Sequence, residues 1–194
     1  MKVKTIAGTG ILCALACALT FLSNYVINGS ININLSLIPI AIGALVYGPL
    51  AGAFLGLVNG ICVLLTPATQ LFYFDTTQLG DLCVIGTLIN CIGKCTIAGL
   101  VSGYVFKALK KHNLLAVILA TIIVPILNTG IFLGVGFIFY ERGMYDTILK
   151  SVVTINFLWF ELLPTALLCP VTVKVANMYS LKRKTVENGG NNNE

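Results

Sequence analysis

Residues 35–65 have the sequence LSLIPIAIGALVYGPLAGAFLGLVNGICVLL, which contains no charged side chain. The pair Gly48-Pro49 divides this stretch, because proline is tolerated at the start of a helix but disrupts a helix interior. We therefore predict two apolar helices, over 35–47 and 50–65. The first of them is shorter than the roughly 20 apolar residues that a full membrane crossing requires.

A stripe of glycines follows the Gly-Pro turn. It recurs at every fourth position and comprises Gly48, Gly52, Gly56 and Gly60. Residues at this spacing lie on one face of a helix. Small residues on such a face let two helix backbones approach closely in lipid. The stripe therefore predicts close internal packing of the helix over 50–65.

The chain as a whole has too little charge to cover a soluble surface. Of its 194 residues, 57% are hydrophobic and 10% are charged, whereas a soluble domain carries about 25% charged residues. We predict an all-α fold, an integral membrane bundle of six transmembrane helices that occupies residues 1–180. The polar residues 181–194 cannot bury enough apolar area to fold and are predicted to form a disordered cytoplasmic tail. The predicted spans are 6–27, 35–47, 50–65, 82–109, 114–140 and 152–179.

The distribution of charge predicts the orientation of the bundle. An even number of spans places both termini on one side of the membrane. That side has Lys2, Lys4, Lys107, Lys110, Lys111, Lys174, Lys182, Arg183 and Lys184. Cytoplasmic connections are those rich in lysine and arginine. We therefore expect a multi-pass protein of the cell membrane with cytoplasmic N- and C-termini.

A second stripe of small residues lies in the first span. Gly10, Ala14 and Ala18 recur every four residues and share one helix face. Two interpretations are open: internal packing against another helix of this chain, or a docking surface for a separate membrane subunit.

At this point the sequence resembles a known family, the substrate-binding (S) components of energy-coupling factor (ECF) vitamin transporters. Residues 35–57 are similar to that family's second and third helices around the Gly-Pro turn, and Ala14-Leu-Ala-Cys-Ala18 resembles its small-xxx-small motif in the first helix. The similarity extends over 5–179. Pantothenate, riboflavin and folate members share this layout.

The resemblance implies a six-helix protein that captures a vitamin from outside the cell. It implies three partners, a transmembrane coupling subunit and two ATPase subunits, and a toppling movement in the membrane that releases the vitamin inside. Since the first-helix alanines of the family meet the coupling subunit, Ala14 and Ala18 would have that role here, on the same face as Gly10.

Polar side chains inside the spans are candidates for binding the vitamin, because each is costly at bilayer depth unless it is paired. Lys94 lies near the middle of the fourth span, with Asn90 one turn before it and Gly86 one turn earlier. A vitamin carboxylate would pair with this ammonium, which favours pantothenate as the substrate. The alternative is an internal pair of Lys94 with Glu161 or with helix carbonyls.

The fifth and sixth spans supply the other candidates for the same site. Asn128 and Phe132 share a face of the fifth span, and Asn156 and Trp159 lie close together on the sixth. An indole offers a large flat surface and one N–H donor to a small organic ligand. Trp159 is equally explained as an interfacial anchor, since tryptophan is enriched at membrane surfaces.

Other functional classes lack their motifs in this sequence. The single histidine, His112, lies in a basic connection away from the spans, and Cys91 and Cys95 have no further ligands at metal-binding spacing. Gly93-Lys94 lacks both the earlier glycine and the following Ser or Thr of a nucleotide-binding loop. We expect no catalytic activity, no cofactor, no metal and no nucleic-acid partner. A self-sufficient secondary transporter or a membrane scaffold protein is the alternative to an S component.

Overall fold

The structure is a computed structural model, and it describes residues 3–26, 35–66, 81–109, 113–139, 146, 149–150, 163–167, 169–174 and 178. Within these residues the fold is all helical and contains no strand. The elements are α1 (Val3–Val26), α2 (Leu37–Tyr47), α3 (Pro49–Leu64), α4 (Asp81–Leu88), a π-helical turn (Ile89–Gly93), α5 (Lys94–Ala108), α6 (Asn113–Phe139) and α7 (Leu163–Leu167).

The apolar helices agree with the predicted spans to within a few residues at each end. In the described part of the chain, three are long and apolar enough to cross a membrane: Thr5–Ser23, Ile85–Ala108 and Leu114–Phe139. The helices α2 and α3 are apolar but shorter. Much of the predicted sixth span, including 151–162, lies outside the described residues. The count of six spans and the side on which the termini lie therefore stay predictions.

The turn between α2 and α3 depends on glycine and proline in consecutive positions. Gly48 has φ of +99° and donates its backbone N–H to the carbonyl of Ala44 at 3.1 Å, which closes α2. Residues with a Cβ rarely adopt positive φ, so glycine is favoured there. Pro49 then occupies the first turn of α3, where its missing N–H costs no helical hydrogen bond.

The glycine stripe of α3 packs against α5 and the π turn. A Cβ added to Gly52 would lie 2.5 Å from the carbonyl oxygen of Gly99, and one added to Gly60 would lie 2.6 Å from that of Cys91. A Cβ at Gly56 would meet the carbonyl group of Cys95. Contacts this close to a backbone leave no room for a side chain, so the predicted internal packing is confirmed for these three glycines. For Gly48 the prediction is wrong, because this residue lies in the turn before α3 and a Cβ added to it would meet nothing within 4 Å.

Apolar side chains from four helices meet on the inner side of the contact between α3 and α5. The main cluster consists of Leu37, Ile40, Ala41, Leu55, Ala98 and Val124, from α2, α3, α5 and α6. On the opposite face of α3, large side chains such as Leu50 and Phe54 are exposed. A helix with a packed inner face and an equally apolar outer face is typical of a bundle surrounded by lipid rather than water.

The inner face of α1 lies against α2 and α3. Gly8 packs on the ring of Tyr47, and Leu12 packs against the main cluster. Farther along α1, the Sγ atom of Cys17 lies 2.8 Å from the Sγ atom of Cys62 on α3, and both thiols are free.

The Cys17–Cys62 contact can be tested by cross-linking. In a variant that keeps only these two cysteines, copper phenanthroline should join them, since oxidation removes two protons and two electrons and forms one S–S bond. After denaturation in SDS, the oxidised protein should resist labelling with polyethylene glycol maleimide until it is reduced. A matched variant that keeps only Cys17 and Cys95 should be fully labelled in SDS even after oxidation, because denaturation exposes the buried Cys95 thiol. Equal labelling of both oxidised variants would contradict the packing of α1 on α3.

Candidate functional site

The fourth predicted span contains a π turn where the sequence predicts a continuous α-helix. Five residues, Ile89–Gly93, form this turn between α4 and α5. Such turns are uncommon and occur frequently at functional sites. The turn carries Asn90 and ends next to Lys94, two of the residues singled out from the sequence.

The structure brings Asn90, Lys94 and Phe132 together. The Nζ atom of Lys94 lies 4.8 Å from the centroid of the Phe132 ring. The Nδ2 atom of Asn90 donates to the backbone carbonyl of Phe132 at 3.4 Å. One turn earlier, Gly86 packs on the side chain of Phe139, so this whole side of the fourth span faces α6.

These contacts offset only part of the free-energy cost of burying the Lys94 ammonium. Its side chain is half-buried, and no carboxylate among the described residues pairs with it. A cation–π contact contributes about 0.5–2 kcal/mol, whereas withdrawing an ammonium from water costs several kcal/mol. The site can therefore accept an anionic partner against Lys94.

Asn128 lies on α6 one turn before Phe132 and is 2% exposed. Its Oδ1 atom accepts a hydrogen bond from the thiol of Cys95 at 3.5 Å. Because Cys95 follows Lys94 directly, Asn128 lies near the Lys94–Phe132 contact. An ammonium, an aromatic ring and two carboxamides are groups that suit a small organic anion with amide or hydroxyl groups.

The Cys95 thiol also connects this site to two further helices that sequence reasoning did not include. Asn59 of α3 donates from Nδ2 to Cys95 Sγ at 3.6 Å, and Thr20 of α1 donates from Oγ1 to Asn59 Oδ1 at 2.6 Å. The sequence feature that pointed to these contacts is Asn59, a polar amide inside the uncharged apolar segment 35–65. We refer to Thr20, Asn59, Cys95 and Asn128 as the polar chain.

Two of the predicted site residues cannot be placed. Asn156 and Trp159 lie outside the described residues, as does Glu161, the alternative partner of Lys94. Their contribution to this site stays a prediction.

The small-residue stripe of α1 lies on the outer surface of the bundle. Gly10, Ala14 and Ala18 are all exposed, and a Cβ added to Gly10 would meet nothing within 4 Å. Only 17% of the Thr5–Ser23 span is buried, against 44% of each of the two longer candidate spans. This stripe therefore differs from Gly52, Gly56 and Gly60 of α3, which pack against the backbone of the fourth span.

Comparison with known proteins gives one family. A model of the family described as ECF transporter, substrate-specific component, matches residues 4–176. No curated protein and no solved structure matches the chain.

Proposed function

Because the chain belongs to the ECF transporter substrate-specific component family, we propose that it captures a small vitamin outside the cell as the binding subunit of an ECF importer. Proteins of this family bind a transported substrate and are not enzymes. The observation that carries the proposal within this chain is the ammonium of Lys94, half-buried against Phe132. A membrane protein retains such a group at bilayer depth chiefly for function.

The chemistry of the site favours a compact vitamin with a carboxylate. Lys94 would bind the carboxylate, Phe132 would cover an apolar part of the molecule, and the amides of Asn90 and Asn128 would bind its amide or hydroxyl groups. Pantothenate carries all of these groups and is our first candidate. Riboflavin and folate are the next to be tested.

Transport would depend on partner subunits. We expect a transmembrane coupling subunit to dock on Gly10, Ala14 and Ala18, which are exposed, small and in register on α1. Two ATPase subunits would supply the energy, since Gly93-Lys94 does not form a nucleotide-binding loop. The lysine-rich ends and connections would face the cytoplasm, where the ATPases act.

Two measurements on the purified chain test substrate capture. Mass spectrometry of small molecules that co-purify with it should identify one vitamin, and titration calorimetry without ATP should show that the chain binds this vitamin with one-to-one stoichiometry. Pantothenate, riboflavin and folate form the panel, and an unrelated amino acid is the control. Failure to bind any of the three, with no other vitamin among the co-purifying molecules, would contradict the proposed function.

A further inference from the structure

The polar chain links four helices through buried side chains. Thr20 and Asn128 are each 2% exposed, and Asn59 and Cys95 are fully buried. Its three contacts run from the α1 hydroxyl to the α3 carboxamide at 2.6 Å, from that carboxamide to the α5 thiol at 3.6 Å, and from the thiol to the α6 carboxamide at 3.5 Å. Asn128, at one end of the polar chain, is thus also a residue of the candidate vitamin site.

Close approach of α3 and α5 is what makes the central contact possible. Asn59 has a short side chain, and its neighbours Gly56 and Gly60 bring the α3 backbone against the carbonyl groups of Cys95 and Cys91. Larger residues at either glycine would hold Asn59 away from the thiol. The glycine stripe therefore fixes the amide next to Cys95.

The direction of the hydrogen bonds indicates how the Asn59–Cys95 contact acts on Asn128. A carboxamide has an acceptor end and a donor end, and only its partners determine which end points where. Asn59 donates to the sulfur of Cys95, so the thiol hydrogen is directed at Asn128. Asn128 therefore holds its oxygen toward Cys95, and its carboxamide has a defined orientation at the edge of the site.

We propose that Asn59 is a positioning residue for vitamin binding, acting through Cys95 to set the orientation of the Asn128 carboxamide. This role rests on the proposed function, because it requires Asn128 to contact the vitamin. Asn59 itself does not touch the vitamin. Its effect on affinity should therefore disappear when Asn128 is removed.

A double-mutant cycle tests this role with pantothenate, or with whichever of riboflavin and folate the wild-type protein binds. We expect Asn59→Leu to raise the dissociation constant about 10-fold, which is the effect of one hydrogen bond on binding. Asn128→Leu should raise it further, and the double variant should bind no more weakly than Asn128→Leu alone. If the fold-increase in dissociation constant of the double variant equals the product of the two single increases, the proposal is overturned.

Substitutions of Cys95 test the same link without changing α3. Cys95→Ala removes the thiol and should weaken binding about 10-fold, whereas Cys95→Ser keeps a donor and an acceptor and should bind nearly as well as wild type. These variants decide the question if Asn59→Leu fails to fold. Equal affinities of the alanine and serine variants would overturn the proposal.

Ser102→Ala provides the matched control. The hydroxyl of Ser102 is buried and joins α5 to α6 by donating to the carbonyl of Ala120 at 2.7 Å, away from the candidate site. Its loss should lower thermal stability without changing affinity.

Wild-type protein that binds no vitamin would contradict the proposed function and the positioning role together. Wild-type binding with unchanged affinity in Asn59→Leu and Cys95→Ala would contradict the positioning role alone.

Discussion

Lys94→Met is expected to weaken pantothenate binding by about 100-fold, because it removes the only positive charge that the described residues of the site offer to a vitamin carboxylate. Methionine keeps the length and much of the volume of the side chain, so the contact with the Phe132 ring should survive the change. Titration calorimetry of the purified protein measures the effect directly. The melting temperature should stay the same or rise, because the substitution relieves the cost of burying an ammonium.

Lys107→Met is the matched control for this prediction. Lys107 lies in the last turn of α5, on the same span as Lys94, and is exposed. Its replacement also lowers the net charge by one but should leave affinity unchanged. Unchanged affinity together with lower stability in Lys94→Met would instead support an internal pair, for which Glu161 is the candidate partner.

The double substitution Ala14→Leu with Ala18→Leu is expected to reduce vitamin uptake by roughly 10- to 100-fold, because bulky side chains prevent close approach of a partner helix. Binding by the purified chain should stay the same, since both residues point away from the packed face of α1. Uptake is measured in cells that express the coupling subunit and ATPases. Co-purification of the coupling subunit should fall in parallel.

Ala108→Leu is the control for the docking prediction. Ala108 is also small and exposed, and it ends α5 rather than lying on the α1 stripe. This variant should assemble and transport as wild type does. Loss of vitamin binding in the Ala14/Ala18 variant would contradict the docking role and support internal packing of the stripe.

Much of the fold could be predicted because the sequence encodes it locally. Uncharged apolar runs give the helices, the Gly48-Pro49 pair gives the turn between α2 and α3, and four-residue glycine spacing gives the packed face of α3. The π turn at Ile89–Gly93 could not be predicted in this way. It depends on how the fourth span packs against α3 and α6, and no local composition distinguishes it from an ordinary helical turn.

The candidate site was predicted only in part, for a similar reason. Lys94 and Asn90 both contact Phe132 of the neighbouring α6, and their role in binding a vitamin stays a prediction. Asn59 and Cys95 were not expected there. Helix periodicity identifies which residues share a face of one helix, but it does not give the register between helices.

Uptake of radiolabelled pantothenate into proteoliposomes tests the central claim most directly. The chain reconstituted alone should bind the vitamin but accumulate none, with or without an ion gradient. Accumulation should appear only when the coupling subunit and both ATPases are present with ATP on their side of the membrane. Uptake by the chain alone, driven by an ion gradient, would contradict the account and identify a secondary transporter.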